Sequence, residues 1–315
     1  MVSAAVDLSI IIPTFRRPDA LRSCMSSCLA QTGLDGLDYE LVIVDNCPQQ
    51  SARDIVASIA RAESQRIIYV HESRPGVAHA RNCGVATASA PLIAFIDDDE
   101  FAEPNWMAQL VAAQAKFDAD IVFGPVLALI EGDSSADRDF IQDFYSIDCQ
   151  RPSGPITGLK HSGNVLLRKE RCFRGGHAFN PQLGFFGGED GLFFLQLART
   201  DVSMVWCREA VTHEIVPLLR TSYAYILKRS IIRGQSTPLM YAMLRPPEWR
   251  SVAWFMMAGV LQFLVFGLAS ACAAPISPRR AVRTASRALM GLGKVFWMSP
   301  FRIINHYGLP GTYSR

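Results

Sequence analysis

Four short apolar runs alternate with three stretches of helical character in the first hundred residues. That alternation restricts the fold more than any other feature of the chain. Leu8-Ser-Ile-Ile-Ile12, Tyr39-Glu-Leu-Val-Ile-Val44, Arg66-Ile-Ile-Tyr-Val70 and Pro91-Leu-Ile-Ala-Phe-Ile96 each have the length and apolar character of a buried strand. Asp19–Gln31, Ser51–Glu63 and Gly76–Ala86 between them fit helices, Asp19 standing near its helix start. Such alternation predicts an α/β fold: a mostly parallel sheet, right-handed crossovers, and helices on both faces. Polar residues gather where the strands stop: Thr14 and Arg16, Asp45 and Asn46, then Asp97-Asp98-Asp99. In open α/β sheets ligands bind beyond the carboxyl ends of the strands, so one site can collect all three groups.

Further along, Glu103–Lys116 fits a helix with Pro104 in its first turn, and Asp120–Gly124 and Gly163–Leu167 fit strands. From Glu131 to Gly158 the pattern weakens to a loop with a helical piece near Phe140–Ile147. Specificity is expected to lie in 125–185. At 315 residues the chain can bury a sizeable core, and a net charge of +2 argues against a dedicated nucleic-acid binder. Eight cysteines without a CxxC pair are expected to be reduced thiols of a cytosolic protein, and the residues before Leu8 are not expected to act as a signal peptide.

Three adjacent carboxylates repel one another. They are tolerable at a strand end if a divalent cation sits among them, since hard cations take oxygen ligands; a solvated acidic loop or a helix cap is the alternative. A second acidic pair, Glu189-Asp190, follows two glycines. A carboxylate placed by so tight a turn can take a proton as a general base. Acids favourable to a helix dipole are the other reading of this pair.

Five segments occur in order: Ile10-Ile-Ile-Pro-Thr-Phe-Arg16, Val42-Ile-Val-Asp-Asn46, Gly76-Val-Ala-His-Ala-Arg-Asn82, Phe95-Ile-Asp-Asp-Asp99 and Gly187-Gly-Glu-Asp190. Each alone is weak. Together, over about residues 7–240, they resemble family 2 glycosyltransferases of the GT-A fold, with the flavour of the bacterial exopolysaccharide, succinoglycan-type group. The resemblance implies a nucleotide-sugar donor, most simply a UDP-sugar, held with Mn²⁺ or Mg²⁺. It makes Asp99 the direct metal ligand, with Asp98 by the ribose or metal and Asp97 beside them. A sugar hydroxyl needs a positioned base to take its proton, and the resemblance makes Asp190 that base, with Glu189 an acceptor-binding or orienting neighbour. It places His213 as a further metal ligand, although a histidine after an apolar run can equally be structural. Asp45 would accept from the uracil imide, a role compatible with an Asx turn, and Pro13 and Thr14 would flank the base. Arg81 would help hold the nucleotide, a surface ion pair being the alternative. One base without a second carboxylate nucleophile points to single displacement with inversion.

The Gln-x-x-Arg-Trp signature of processive members is absent. Lys228-Arg-Ser-Ile-Ile-Arg233-Gly-Gln235 stands in its place. Arg233 there can contact a diphosphate, or belong to a solvated basic face. This favours one sugar per encounter. A nucleotidyltransferase is disfavoured because Ile12-Pro-Thr-Phe-Arg16 is no glycine-rich loop, and an inactive sugar-nucleotide scaffold is disfavoured because both carboxylate groups are intact.

After the catalytic domain, residues 1–240, a helical region 241–315 is expected to associate with the membrane. Val252–Ala274 is long enough to cross a bilayer, has Trp249 and Trp254 at one end, and is followed by Arg279, Arg280, Arg283 and Arg287. A single crossing would put these arginines on the side opposite the donor. A re-entrant hairpin, an interfacial helix, or a buried core helix would avoid that conflict. The implied setting is the cytoplasmic face of the inner membrane, and the implied acceptor a polyprenyl-diphosphate-linked glycan.

Overall fold

The structure is a computed structural model and describes residues 6–303 apart from 35, 133–136, 159–160, 177 and 185–186. In chain order the first elements are β1 (Leu8–Thr14), α1 (Pro18–Leu29), β2 (Tyr39–Asp45), α2 (Arg53–Ala62), β3 (Arg66–His71), α3 (Val77–Thr87) and β4 (Leu92–Phe95). They fall where the apolar runs place them. Then come β5 (Glu100–Ala102), α4 (Trp106–Phe117), β6 (Ile121–Phe123), β7 (Val126–Ile130), α5 (Arg138–Tyr145), β8 (Gly154–Pro155), β9 (Val165–Arg168) and α6 (Lys169–Cys172). The last are α7 (Glu189–Leu197), β10 (Met204–Trp206), β11 (Thr212–Val216), α8 (Tyr223–Met243), α9 (Trp249–Ala273) and α10 (Pro278–Val295). Of the expected specificity region, 133–136, 159–160, 177 and 185 lie outside the described residues.

The main sheet has the order β3-β2-β1-β4-β9-β6-β10-β8. β3, β2, β1 and β4 are parallel, and β10 is parallel to β6. β9 is inserted antiparallel between β4 and β6, and β8 is antiparallel at the edge. Side chains alternate across the sheet. Leu8, Ile10 and Ile12 join the core under α1, α2 and α4, while Ile11, Val42 and Val44 join the core under α3 and α7. α1 shows how the sequence sets this: Pro18 starts it, and Leu21, Cys24, Met25 and Cys28 recur on one buried face. A second sheet, β5-β11-β7, pairs the strand after the aspartates with two later ones. It had no signal in the sequence, because β5 is only three residues long.

At the C-terminus α8 continues through the expected boundary at 240 without a break. α9 and α10 stack on it, anchored by a small core that includes Leu192, Leu239, Val252 and Trp297. The most apolar 18-residue stretch of α9 has a mean hydropathy of 2.0 and only 11% of it is buried, which removes the buried-core reading of Val252–Ala274.

Candidate active site

The carboxyl ends of β1 and β4 open into a cavity of about 400 Å³. Pro13, Thr14, Phe15 and Arg17 line it from the β1 end, and Asp97, Asp98, Asp99 and Glu100 from the β4 end. Arg81 enters from α3, Gly187 to Asp190 from the start of α7, and Glu214 and Arg220 from the second sheet and the turn after it. Arg229, Arg233 and Ser236 close the wall from α8.

The three aspartates have three different surroundings. Asp98 is buried and accepts from Thr14 Oγ1 at 2.7 Å and from Arg17 Nη1 at 3.0 Å. Burial pushes its carboxyl up to about 6, with Arg17 opposing and Asp99 adding to the push. Asp99 takes Arg17 Nη1 at 2.7 Å and Arg220 Nη1 at 3.5 Å. Asp97 is the most open of the three and pairs with Arg81 at 3.2 Å.

Arg81 joins the two acidic motifs. Its Nη2 holds Asp97, and its Nη1 holds Glu189 Oε1 at 2.5 Å, with both members of the second pair buried. Burial alone would lower its pKa, but Asp97 and Glu189 outweigh that and hold it raised. The surface-ion-pair alternative is thereby corrected: the pair is internal, because α3 points Arg81 under the sheet ends rather than outward. Gly187 and Gly188 have φ of 75° and 94°, which lets the chain turn sharply into α7. The turn sets Asp190 on the cavity wall, its Oδ1 accepting from Gly191 N–H at 2.6 Å. Burial pushes the Asp190 carboxyl up to about 7; Glu189 adds to the push and Arg81 opposes it. A carboxylate poised near neutrality is suited to take a proton and release it.

Three expected site residues do not reach the cavity. Arg16 adopts φ of 56° and turns away to Gln49 Oε1 at 3.0 Å; its neighbour Arg17 faces the aspartates instead. Asp45 is fully buried, and its oxygens accept from Cys47 N–H, Ala52 N–H and Tyr69 Oη at 2.9, 2.8 and 3.1 Å. Its carboxylate serves the β2–α2 turn. His213 Nε2 donates to Glu103 Oε1 at 2.7 Å, and the ring stacks on Phe101 with centroids 4.9 Å apart. It lies outside the cavity because neighbouring strand residues point to opposite faces, and Glu214 takes the inward place.

Glu214, Arg17, Arg220 and His161 are functional candidates that sequence reasoning missed. Burial pushes Glu214 up to about 7, helped by Asp99 and opposed by Arg220. His161 is a buried cavity residue beside Phe123, and burial lowers its imidazole to about 4, leaving it neutral. Only the strand alternation around His213 carried any signal for these.

Among the described residues, no three His, Cys, Asp or Glu side chains converge as a ligand cage. Mg²⁺, however, is commonly held by one or two carboxylates with substrate phosphates completing its shell. Asp99 and Asp97 are carboxylates on the cavity wall, and the arginines at Asp99 already supply positive charge there. The donor chemistry therefore fits a cation shared with a phosphate, and does not fit a site made of protein ligands alone.

The profile described as Glycosyl transferase family 2 matches residues 9–172, from β1 through both strands that carry the aspartates and beyond. The chain belongs to glycosyl transferase family 2. This family 2 chain is a glycosyltransferase, and it is 29% identical over 310 residues to the succinoglycan biosynthesis protein ExoM of Rhizobium meliloti (strain 1021), covering 98% of each chain. It is 39% identical over 110 residues to a validoxylamine A glucosyltransferase of Streptomyces hygroscopicus subsp. limoneus, covering 34% of this chain and 24% of that one. Its fold is similar to the crystal structure of S. aureus TarS 1-349 in complex with UDP, with a TM-score of 0.54, 14% identity, and 93% and 90% of the two chains covered. The GT-A architecture that the resemblance implied is the one present, built on the mostly parallel α/β sheet that the strand pattern predicted.

Proposed function

We propose that this glycosyltransferase moves a sugar from a nucleotide-diphosphate donor, a UDP-sugar, to a hydroxyl of a polyprenyl-diphosphate-linked glycan during exopolysaccharide synthesis. The reaction is placed at the cytoplasmic face of the inner membrane. The observation that carries the reading is that Asp190, pushed up to about 7, shares one cavity with the aspartate triplet, with Arg81 tying the two together.

In this reading the acceptor hydroxyl attacks the anomeric carbon as Asp190 takes its proton. The bond from that carbon to the diphosphate breaks, and the diphosphate leaves on the opposite face, inverting the configuration. Glu189, clamped by Arg81, keeps the start of α7 in place. Arg229 and Arg233 line the wall where leaving negative charge can be met. Mn²⁺ or Mg²⁺ bound at Asp99 would supply Lewis-acid stabilisation of the leaving diphosphate. The ExoM likeness over nearly the whole chain supports the exopolysaccharide setting, and the TarS complex supports UDP as the nucleotide.

Titration of UDP in the presence of Mn²⁺ or EDTA, for wild type and Asp99→Ala, tests the donor and metal assignments. Tight binding is expected only for wild type with Mn²⁺. Equal affinity in all four conditions would overturn the metal assignment, and no UDP binding in any would overturn the donor.

A further inference from the structure

The three C-terminal helices form layers. α8 turns Arg229, Arg233 and Ser236 towards the cavity. Its opposite face holds α10: Ser230 and Ser286 share a hydrogen bond of 2.8 Å, and a Cβ on Gly234 would lie 2.1 Å from Met290 O. α10 in turn holds α9 along most of its length. Gln262 Nε2 donates to Arg287 O at 2.8 Å and Ser270 Oγ to Ala281 O at 2.9 Å, and a Cβ on Gly259 would lie 2.6 Å from Gly291 O. Near its start, α10 is tied to the cap of α5 in the catalytic domain by Arg283 on Asp137 at 2.7 Å. α9 is thus the outermost of the three layers. Its outer stripe is Trp254, Met257, Leu261, Leu264 and Leu268, each at least 60% exposed.

We infer that α9 docks flat on an anionic lipid surface, parallel to the bilayer plane, and does not cross it. This deepens the proposed function and rests on it only for the side of the membrane. Crossing would carry α10 into the hydrocarbon beside α9, and with it Arg279, Arg280, Arg283 and Arg287, which is strongly unfavourable. Lying flat instead buries one apolar stripe and leaves the arginines at headgroup level. Charge selects the occupant. Residues 249–315 hold eight Lys and Arg and no Asp or Glu, leaving the rest of the chain at −6. That tail complements anionic headgroups. A second copy is the poorer partner: pairing two α9 helices in either direction sets basic ends against basic ends, with exposed Arg250 at one and exposed Arg279 and Arg280 at the other.

The test uses full-length protein with Cys272, the exposed cysteine at the end of α9, replaced by Ser. Spin labels are placed in turn at Met257→Cys, Leu264→Cys and Leu268→Cys, with vesicles of phosphatidylcholine with or without phosphatidylglycerol. The expected result is binding that needs phosphatidylglycerol and equal, shallow depth at all three positions. A crossing helix would separate Met257 from Leu268 by roughly 16 Å along its axis. A steady depth gradient would overturn the inference, as would labels shielded in a lipid-free dimer, or no vesicle binding. Leu261→Glu with Leu264→Glu should weaken vesicle binding at least about tenfold while UDP affinity stays within about twofold of wild type. UDP binding is read separately throughout, so its loss would count against the donor assignment and not against the docking mode.

Discussion

Replacing Arg81 by Met should destabilise the protein more than removing any surface ion pair. Arg81 is buried, and its two Nη atoms sit 2.5 Å from buried Glu189 and 3.2 Å from the more open Asp97. Met restores the apolar stem but leaves Glu189 as a buried carboxylate without its cation. Removing one partner of such a pair costs about 3–5 kcal/mol, whereas removing both can be nearly neutral. Asp97, being partly exposed, recovers hydration and adds little. Arg81→Met with Glu189→Gln should therefore regain most of the loss, ending within about 1–2 kcal/mol of wild type, since a neutral amide costs far less to bury than a charge. Urea unfolding of wild type, both single variants and the double variant completes the cycle. A single-variant loss under about 1 kcal/mol, or a double variant no better than Arg81→Met, would refute the clamp.

Asp190→Asn should lower turnover by about 10²–10⁴ while UDP affinity stays near wild type, since the amide keeps the shape and cannot accept a proton. Because the base works deprotonated and its carboxyl is pushed up to about 7, the wild-type rate should rise with pH through that value, a limb that a pH profile of kcat/KM would show. Gly291→Val should cost about 1–3 kcal/mol of overpacking, because even its Cβ would lie 2.6 Å from Gly259 O on α9; thermal unfolding of full-length protein reads this, and an unchanged midpoint would argue against the close helix contact.

The sheet's first half was legible because each strand is an apolar run closed by a turn, and periodicity reports that directly. Strand direction was not legible for β9, where no crossover helix precedes the strand to fix it. In the site, the acidic motifs were visible as spacings, whereas their cations were not. Arg220 meets Asp99 across 121 residues of chain, a distance that only the tertiary fold closes. Arg16 and His213 each missed the cavity by one position, Arg17 and Glu214 lying there instead. A strand such as β11 inverts its faces at every residue, so a one-position error changes which side chain meets the ligand; Arg16 lies past the end of β1, and its positive φ turns it away. Asp45 was placed correctly at the end of its strand, and its oxygens were then taken by local N–H groups that no spacing could reveal.

The insertion of β9 between β4 and β6 orders events during synthesis of the chain. β3, β2, β1 and β4 pair among themselves, so that half-sheet can zip up once Phe95 has left the ribosome. Among the described residues β6 pairs with β9 and β10, and β7 pairs within its sheet with β11, so residues 121–130 must wait for strands that lie as far on as Val216. Long-range closures of this kind form late and leave strand edges open meanwhile. The nascent chain therefore carries a finished nucleotide-facing half beside an unpaired β4 edge, and chaperone contact during translation should concentrate on that edge until Arg168 emerges.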